Sequence, residues 1–187
     1  WQQIVPVSGW RSLKEQQDIF KQSLKDNGRT FTQQFVALPG KSEHQTGLAI
    51  DLGLKKESID FIRPDFPYIG ICQQFREKSV PYGFIERYPR EKEHITGIAH
   101  EPWHFRYVGT PHAEIMREHH FCLEEYIDFL KRFSQDQPYT FYKDSQEIQI
   151  FYLKADTESV SLEVAEDGSL SVSGNNVDGY IITEWRG

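Results

Sequence analysis

Residues 100–104 read His-Glu-Pro-Trp-His, a letter-for-letter fit to the zinc-protease pattern H-E-x-x-H. On a helix that pattern sets two histidines one turn apart on one face, with the glutamate beside the metal as general base. Pro102 argues against a helix here, because it lacks an N–H and clashes with the preceding turn, so it is tolerated only in a first turn. The residues after it, Trp103-His104-Phe105-Arg106-Tyr107-Val108, are mostly aromatic or β-branched with a two-residue alternation, which predicts a strand. On that strand His104 shares a face with Arg106 and Val108, while Trp103, Phe105 and Tyr107 point to the other side. Zinc chemistry is therefore expected from Glu101 and His104 on a strand. Glu101 bends over the metal where Pro102 breaks the regular pleat, and His100 is left in an outer or surface role.

The companions of that pair lie upstream, in Ser42-Glu43-His44-Gln45-Thr46-Gly47-Leu48-Ala49-Ile50-Asp51. Asp51 falls in the apolar run Leu48-Ala49-Ile50-Asp51-Leu52, where a bare carboxylate costs several kcal/mol unless it is neutralised. A dication neutralises it directly; pairing with an arginine or capping backbone amides is the competing reading. His44, in the loop ahead of that run, converges with Asp51 on the same ion or is an ordinary hydrogen-bonded histidine. His44, Asp51 and His104 make three protein ligands, which leave the fourth position open as catalytic zinc sites do. Glu101 is then available as general base. Arg11, between a short strand and a capped helix, is placed to stabilise an oxyanion, with a structural ion pair as the alternative.

Several elements must position these groups. Ile4-Val5-Pro6-Val7 reads as a strand leading into Ser8-Gly9-Trp10-Arg11. Ser12 and Glu15 form a capping box at the start of a helix that carries Leu13, Gln17, Phe20 and Leu24 on one face and stops at Asn27-Gly28. Helices are expected over 68–78, 112–118 and 123–133, and a strand over 48–52. The character changes near Ser134-Gln135-Asp136-Gln137-Pro138, beyond which no helical period survives. Short strands are expected at 139–143, 147–154, 160–164, 170–173 and 180–185, with turns at Asp167-Gly168 and Asp178-Gly179. The expected fold class is α+β: a small antiparallel sheet flanked by helices and carrying a zinc site (1–134), followed by a small all-β C-terminal extension (139–187).

Bulk properties exclude some classes. The chain has 187 residues, enough for one domain and an appendage, and a net charge of −7 with scattered Lys and Arg, which argues against nucleic acid. No apolar run approaches the roughly 18 residues of a membrane span. Cys72 and Cys122 form no C-x-x-C and no disulfide framework, in keeping with a reducing compartment. The sequence begins at Trp1 rather than Met, so a leader, an anchor or a native N-terminal segment is expected to have been cut away ahead of it.

Three segments together, Ser8-Gly9-Trp10-Arg11, the run from Ser42 to Asp51, and Glu101-Pro102-Trp103-His104, resemble the VanY/VanXY family of zinc D,D-carboxypeptidases and D,D-dipeptidases of vancomycin resistance. The likeness covers residues 1 to 133 and is nearest to the bifunctional VanXY enzymes. It implies one zinc (Zn2+) held by His44, Asp51 and His104, Glu101 as base, and Arg11 stabilising the transition state. It also implies Gln16, Ser42 and Trp103 as substrate contacts. Trp10 departs from the tyrosine more usual at its position. The expected function is removal of the terminal D-Ala from peptidoglycan precursors ending in D-Ala-D-Ala, with cleavage of the dipeptide itself, in the cytoplasm. A related cell-wall peptidase acting on an L,D or L-Ala-D-Glu bond, a zinc-stabilised binding module without turnover, and a membrane-anchored location are the alternatives.

Overall fold

In the computed structural model, which describes residues 2–156, 159, 162 and 169–186, the chain divides into two units between Cys122 and Leu123. The helix expected at the end of the catalytic part thus falls with the C-terminal unit. Among the described residues no helix is long and apolar enough to cross a membrane.

In the first unit, β1 (Ile4–Ser8) leads into α1 (Leu13–Phe35). The capping box forms as expected: Glu15 N–H donates to Ser12 Oγ at 3.2 Å and Ser12 N–H to Glu15 Oε2 at 2.7 Å. The expected stop is a break rather than an end. Gly28, at φ 78°, leaves the helical region, and a second helical run then continues to Phe35. The buried hydroxyls of Ser23 and Thr32, 2.8 Å apart, tie the two runs together.

Beyond α1 come β2 (Ala49–Leu54), α2 (Gly70–Ser79), β3 (Phe84–Tyr88), the single turn α3 (Glu93–Thr96), β4 (Glu101–Tyr107) and α4 (His112–His119). The four strands form an antiparallel sheet in the order β1-β2-β4-β3. Strand β3 was not foreseen from the sequence. The core against this sheet is built by Leu52, Phe66, Cys72, Trp103 and Phe105. Phe66 and Phe75 both meet Phe105 edge-on, at 5.4 and 5.1 Å between ring centres. Tyr107, expected inside, is 41% exposed at the end of β4 and packs on Phe84.

The second unit holds α5 (Leu123–Leu130), which ends one turn short of the expected Phe133, and strands β5 (Tyr139–Lys143), β6 (Gln146–Lys154), β7 (Ser169–Gly174) and β8 (Gly179–Arg186). They form a second antiparallel sheet in the order β5-β6-β8-β7. Asp144 and Ser145, both at positive φ, make the tight β5–β6 turn, which suits the twist of the paired strands. Ile148, Ile150, Ile181 and Ile182 are buried. The strand expected at 160–164 and the turn at Asp167-Gly168 lie outside the described residues.

Candidate active site

The site forms where β1, β2 and β4 run side by side. Asp51 on β2 and His104 on β4 are directly opposite in the register, and His104 Nδ1 lies 2.8 Å from Asp51 Oδ1. On the other side of β2, β1 carries one extra residue between Pro6 and Ser8, so that Ser8 faces Asp51. The third donor comes from the short 3-10 turn Glu43–Thr46. His44 Nδ1 donates to the Gly9 carbonyl at 2.7 Å, so Nε2 carries its lone pair inward, 3.1 Å from Asp51 Oδ2. His44, Asp51 and His104 are all buried, and their donor atoms lie within 4.8 Å of one another.

Arg11 completes the cluster. Its Nε donates to Ser8 Oγ at 2.7 Å and its Nη1 to Gln16 Oε1 at 3.1 Å, which fixes the plane of the guanidinium. Its Nη2 donates to Asp51 Oδ2 at 2.7 Å and approaches His44 Nε2 at 2.9 Å. Asp51 therefore has the arginine partner weighed as a competing reading, and keeps two histidines beside it as well. Burial would raise the Asp51 pKa, but His104 and His44 hold it well below the usual carboxylate range.

Glu101 reaches the same cluster through an irregularity. Phe105 pairs with Glu86 and Glu101 with Tyr88, so four steps along β4 match two along β3. The surplus falls around Pro102 and brings Glu101 Oε2 to 3.9 Å from His104 Nδ1, on the side a regular strand would deny it. Burial pushes the Glu101 pKa up to about 8; His104 pulls it down, the Asp51 charge pushes it further up, and Arg11 pulls it down. A carboxyl poised near neutrality suits an exchange of protons with water and an amine.

Residues not singled out from the sequence frame the other side of His104. Glu43 accepts from Arg87 Nε at 2.8 Å and pairs with Arg106 Nη1 at 2.9 Å, while its Oε2 faces His104 Nε2 at 3.5 Å. Burial opposes its charge, yet His104, Arg87 and Arg106 hold its pKa down to about 2. His104, which burial alone would keep neutral, is raised to about 9 by Asp51 and Glu43. The Tyr88 ring lies 5.1 Å from that of His104.

A cleft opens on this cluster, lined by Ser42 and Trp103 together with Arg11, Glu101 and apolar groups of Phe35, Phe61 and Ile98. Ser42 and Trp103 thus stand on the cleft wall. Gln16 is fully buried behind Arg11, accepting from its Nη1 and donating its own Nε2 to the Ala37 carbonyl at 2.8 Å. His100 is apart from the donors, with Nε2 2.7 Å from the Tyr68 hydroxyl and Nδ1 3.3 Å from Arg90 Nη2.

A divalent ion suits the donors present. They are two imidazole nitrogens and a carboxylate, buried, convergent and backed by a carbonyl that sets the His44 tautomer, a set that matches zinc. The cluster also meets a cation in the structure itself, the Arg11 guanidinium on Asp51 and His44.

The VanY family model, described as D-alanyl-D-alanine carboxypeptidase, matches residues 2–110. The chain is 54% identical over 125 residues to the bifunctional D-Ala-D-Ala dipeptidase and D-Ala-D-Ala carboxypeptidase VanXYC of Enterococcus gallinarum, covering 66% of each chain. It is 36% identical over 181 residues to a D-alanyl-D-alanine carboxypeptidase of Enterococcus faecium, covering 96% of this chain but 53% of that one. The chain thus spans about half to just under two thirds of the length of these curated relatives. Among solved structures, the vancomycin resistance D,D-dipeptidase VanXYg in complex with a D-Ala-D-Ala phosphinate analogue superimposes with a TM-score of 0.96 at 57% identity, covering 98% of this chain and 74% of that one.

Proposed function

The chain belongs to the VanY family of D-alanyl-D-alanine carboxypeptidases, and from that premise we propose that it is a zinc-dependent D,D-carboxypeptidase. It removes the C-terminal D-Ala from peptidoglycan precursors ending in D-Ala-D-Ala, takes the free dipeptide as a second substrate, and serves glycopeptide (vancomycin) resistance. The observation that carries this reading is the convergence of His44, Asp51 and His104 beside two further groups, Glu101 and Arg11, that are free of ligand duty.

His44, Asp51 and His104 would hold the zinc. When bound, zinc polarises the scissile carbonyl and acidifies the attacking water. Glu101 takes the proton of that water on its carboxylate and hands it to the departing amine of D-Ala. Arg11 lines the cleft, with Nε and Nη1 pinned by Ser8 and Gln16 and Nη2 held against Asp51 and His44. From that position it offers a positive charge beside the place where the oxyanion develops. Ser42 and Trp103 bound the pocket for the terminal residue. A methyl group is worth only about 1–3 kcal/mol in such a pocket, so close packing against the apolar wall and hydrogen bonds to the terminal carboxylate must together select D-Ala. We infer a cytoplasmic setting, a reading supported by the absence of a cysteine framework in the sequence.

The test is D-alanine release by the zinc-loaded chain from a pentapeptide precursor and from D-Ala-D-Ala, beside a panel of muropeptides. Release from the pentapeptide is expected. Cleavage confined to L,D or L-Ala-D-Glu bonds, or no turnover at all, overturns the proposal.

A further inference from the structure

Two buried polar atoms in the described residues have no hydrogen-bond partner, Glu43 Oε2 and His104 Nε2, and they face each other at 3.5 Å. Leaving both unmade would cost each its desolvation with nothing in return, and more for a charged group. Nothing else competes for the pairing. The other oxygen of Glu43 is taken by Arg87 at 2.8 Å and Arg106 at 2.9 Å, two guanidinium groups that can only donate. The other nitrogen of His104 is turned to Asp51 at 2.8 Å.

From this geometry we propose that Glu43 is a positioning residue for the metal site: it accepts the Nε2–H of His104 and so keeps the Nδ1 lone pair of that ring aimed at the cluster. The inference rests on the zinc reading given above. His44 receives the same service in mirror image, since its Nδ1–H is held by the Gly9 carbonyl and its Nε2 points inward. The two histidines therefore present opposite nitrogens to one point, each locked by an acceptor behind it. Arg87 and Arg106 belong to the device as well. They arrive from β3 and β4 and hold the Glu43 carboxylate in place, on a short turn that by itself would not fix a side chain.

The isosteric variant Glu43→Gln separates this role from that of a structural ion pair. Its amide oxygen stays on the two arginines, which turns the amide N–H group toward His104 Nε2. A donor there favours the tautomer protonated on Nδ1, the atom the metal needs bare. Zinc titration against a chromophoric chelator, carried out below the melting transition of each protein, is expected to show affinity reduced about 10- to 100-fold in the variant. A purely structural role lowers the melting temperature of the metal-free variant but leaves zinc affinity of the folded protein alone. In parallel, nitrogen-15 NMR of the zinc-loaded wild-type chain is expected to show a slowly exchanging proton on His104 Nε2. That measurement needs no variant and decides the matter if Glu43→Gln does not fold. Wild-type zinc affinity in the variant, or a His104 proton on Nδ1 in the zinc-loaded chain, overturns the proposal. A wild-type chain that binds no zinc removes the metal reading itself, and this inference with it.

Discussion

Glu101 and Arg11 face the same three donors, yet their surroundings give them opposite electrostatic character. Burial with Asp51 nearby leaves the Glu101 carboxyl close to neutrality, able to gain and lose a proton. Burial lowers the Arg11 pKa and Asp51 beside it opposes that, so a guanidinium, basic far above neutrality, stays charged. Glu101→Gln keeps the shape and removes the proton carrier, so kcat for D-Ala release should fall at least about 100- to 10,000-fold. Zinc content, read by elemental analysis, should stay at the wild-type level. Equal loss of zinc would mean that Glu101 is a ligand rather than a base. Ser8→Ala removes one of the two anchors that fix the plane of the Arg11 guanidinium beside the cleft. A fall in kcat of about tenfold, or 1.4 kcal/mol of transition-state stabilisation, is expected with the protein still folded. An unchanged kcat would show that Gln16 alone suffices to aim the guanidinium.

The strands do the aiming, and their irregularities matter more than their regular parts. The extra residue in β1 sets Ser8 against Asp51, and the surplus around Pro102 in β4 turns Glu101 to the side of His104. Where β3 begins and just past the end of β4, Gly83 and Gly109 pack closely. A Cβ on Gly83, already at φ +84°, would stand 2.8 Å from the Gly109 backbone. Gly83→Ala should therefore cost more than the about 1–3 kcal/mol of a strained backbone alone, seen as a melting temperature lower by several degrees. The helix that follows starts at His112, whose pKa burial lowers from 6.5 to about 4. Between those values the unfolded chain binds a proton that the folded chain refuses. Stability from this group is complete above about pH 6.5 and is lost as the pH falls toward 4, by roughly 3 kcal/mol. Urea titrations across that range should show the slope, and His112→Phe should flatten it; an unaltered slope would assign it to other groups.

At the scale of the whole molecule, bound zinc is expected to tie the sheet of the first unit to the turn that carries His44. A ligand present at about 100 times its dissociation constant adds about 2.7 kcal/mol to stability, so chelation should lower the melting temperature in calorimetry. A scan indifferent to chelator would argue against a metal in this site. Much of this design was readable along the chain. Ser12 and Glu15 announced the start of α1, the alternation after Pro102 announced β4, and residue types picked out His44, Asp51, His104 and Glu101. Those signals act over a few residues, through capping, pleat period and the missing N–H of proline, so a linear reading can detect them. Other features depend on partners distant in sequence. Strand β3 was missed because Glu86 and Arg87 look like solvated charges, whereas Arg87 is buried against Glu43, and Glu86 is paired with Arg76. Glu43 passed unnoticed for the same reason, since Arg87 and Arg106 reach it from other elements. The sequence by itself determined which groups could hold a metal and move a proton. Only the tertiary structure decided that Asp51 and His104 stand opposite each other, that Glu101 shares their side, and that Glu43 backs the ring of His104, because strand register and bulges are set by pairings that span the whole unit.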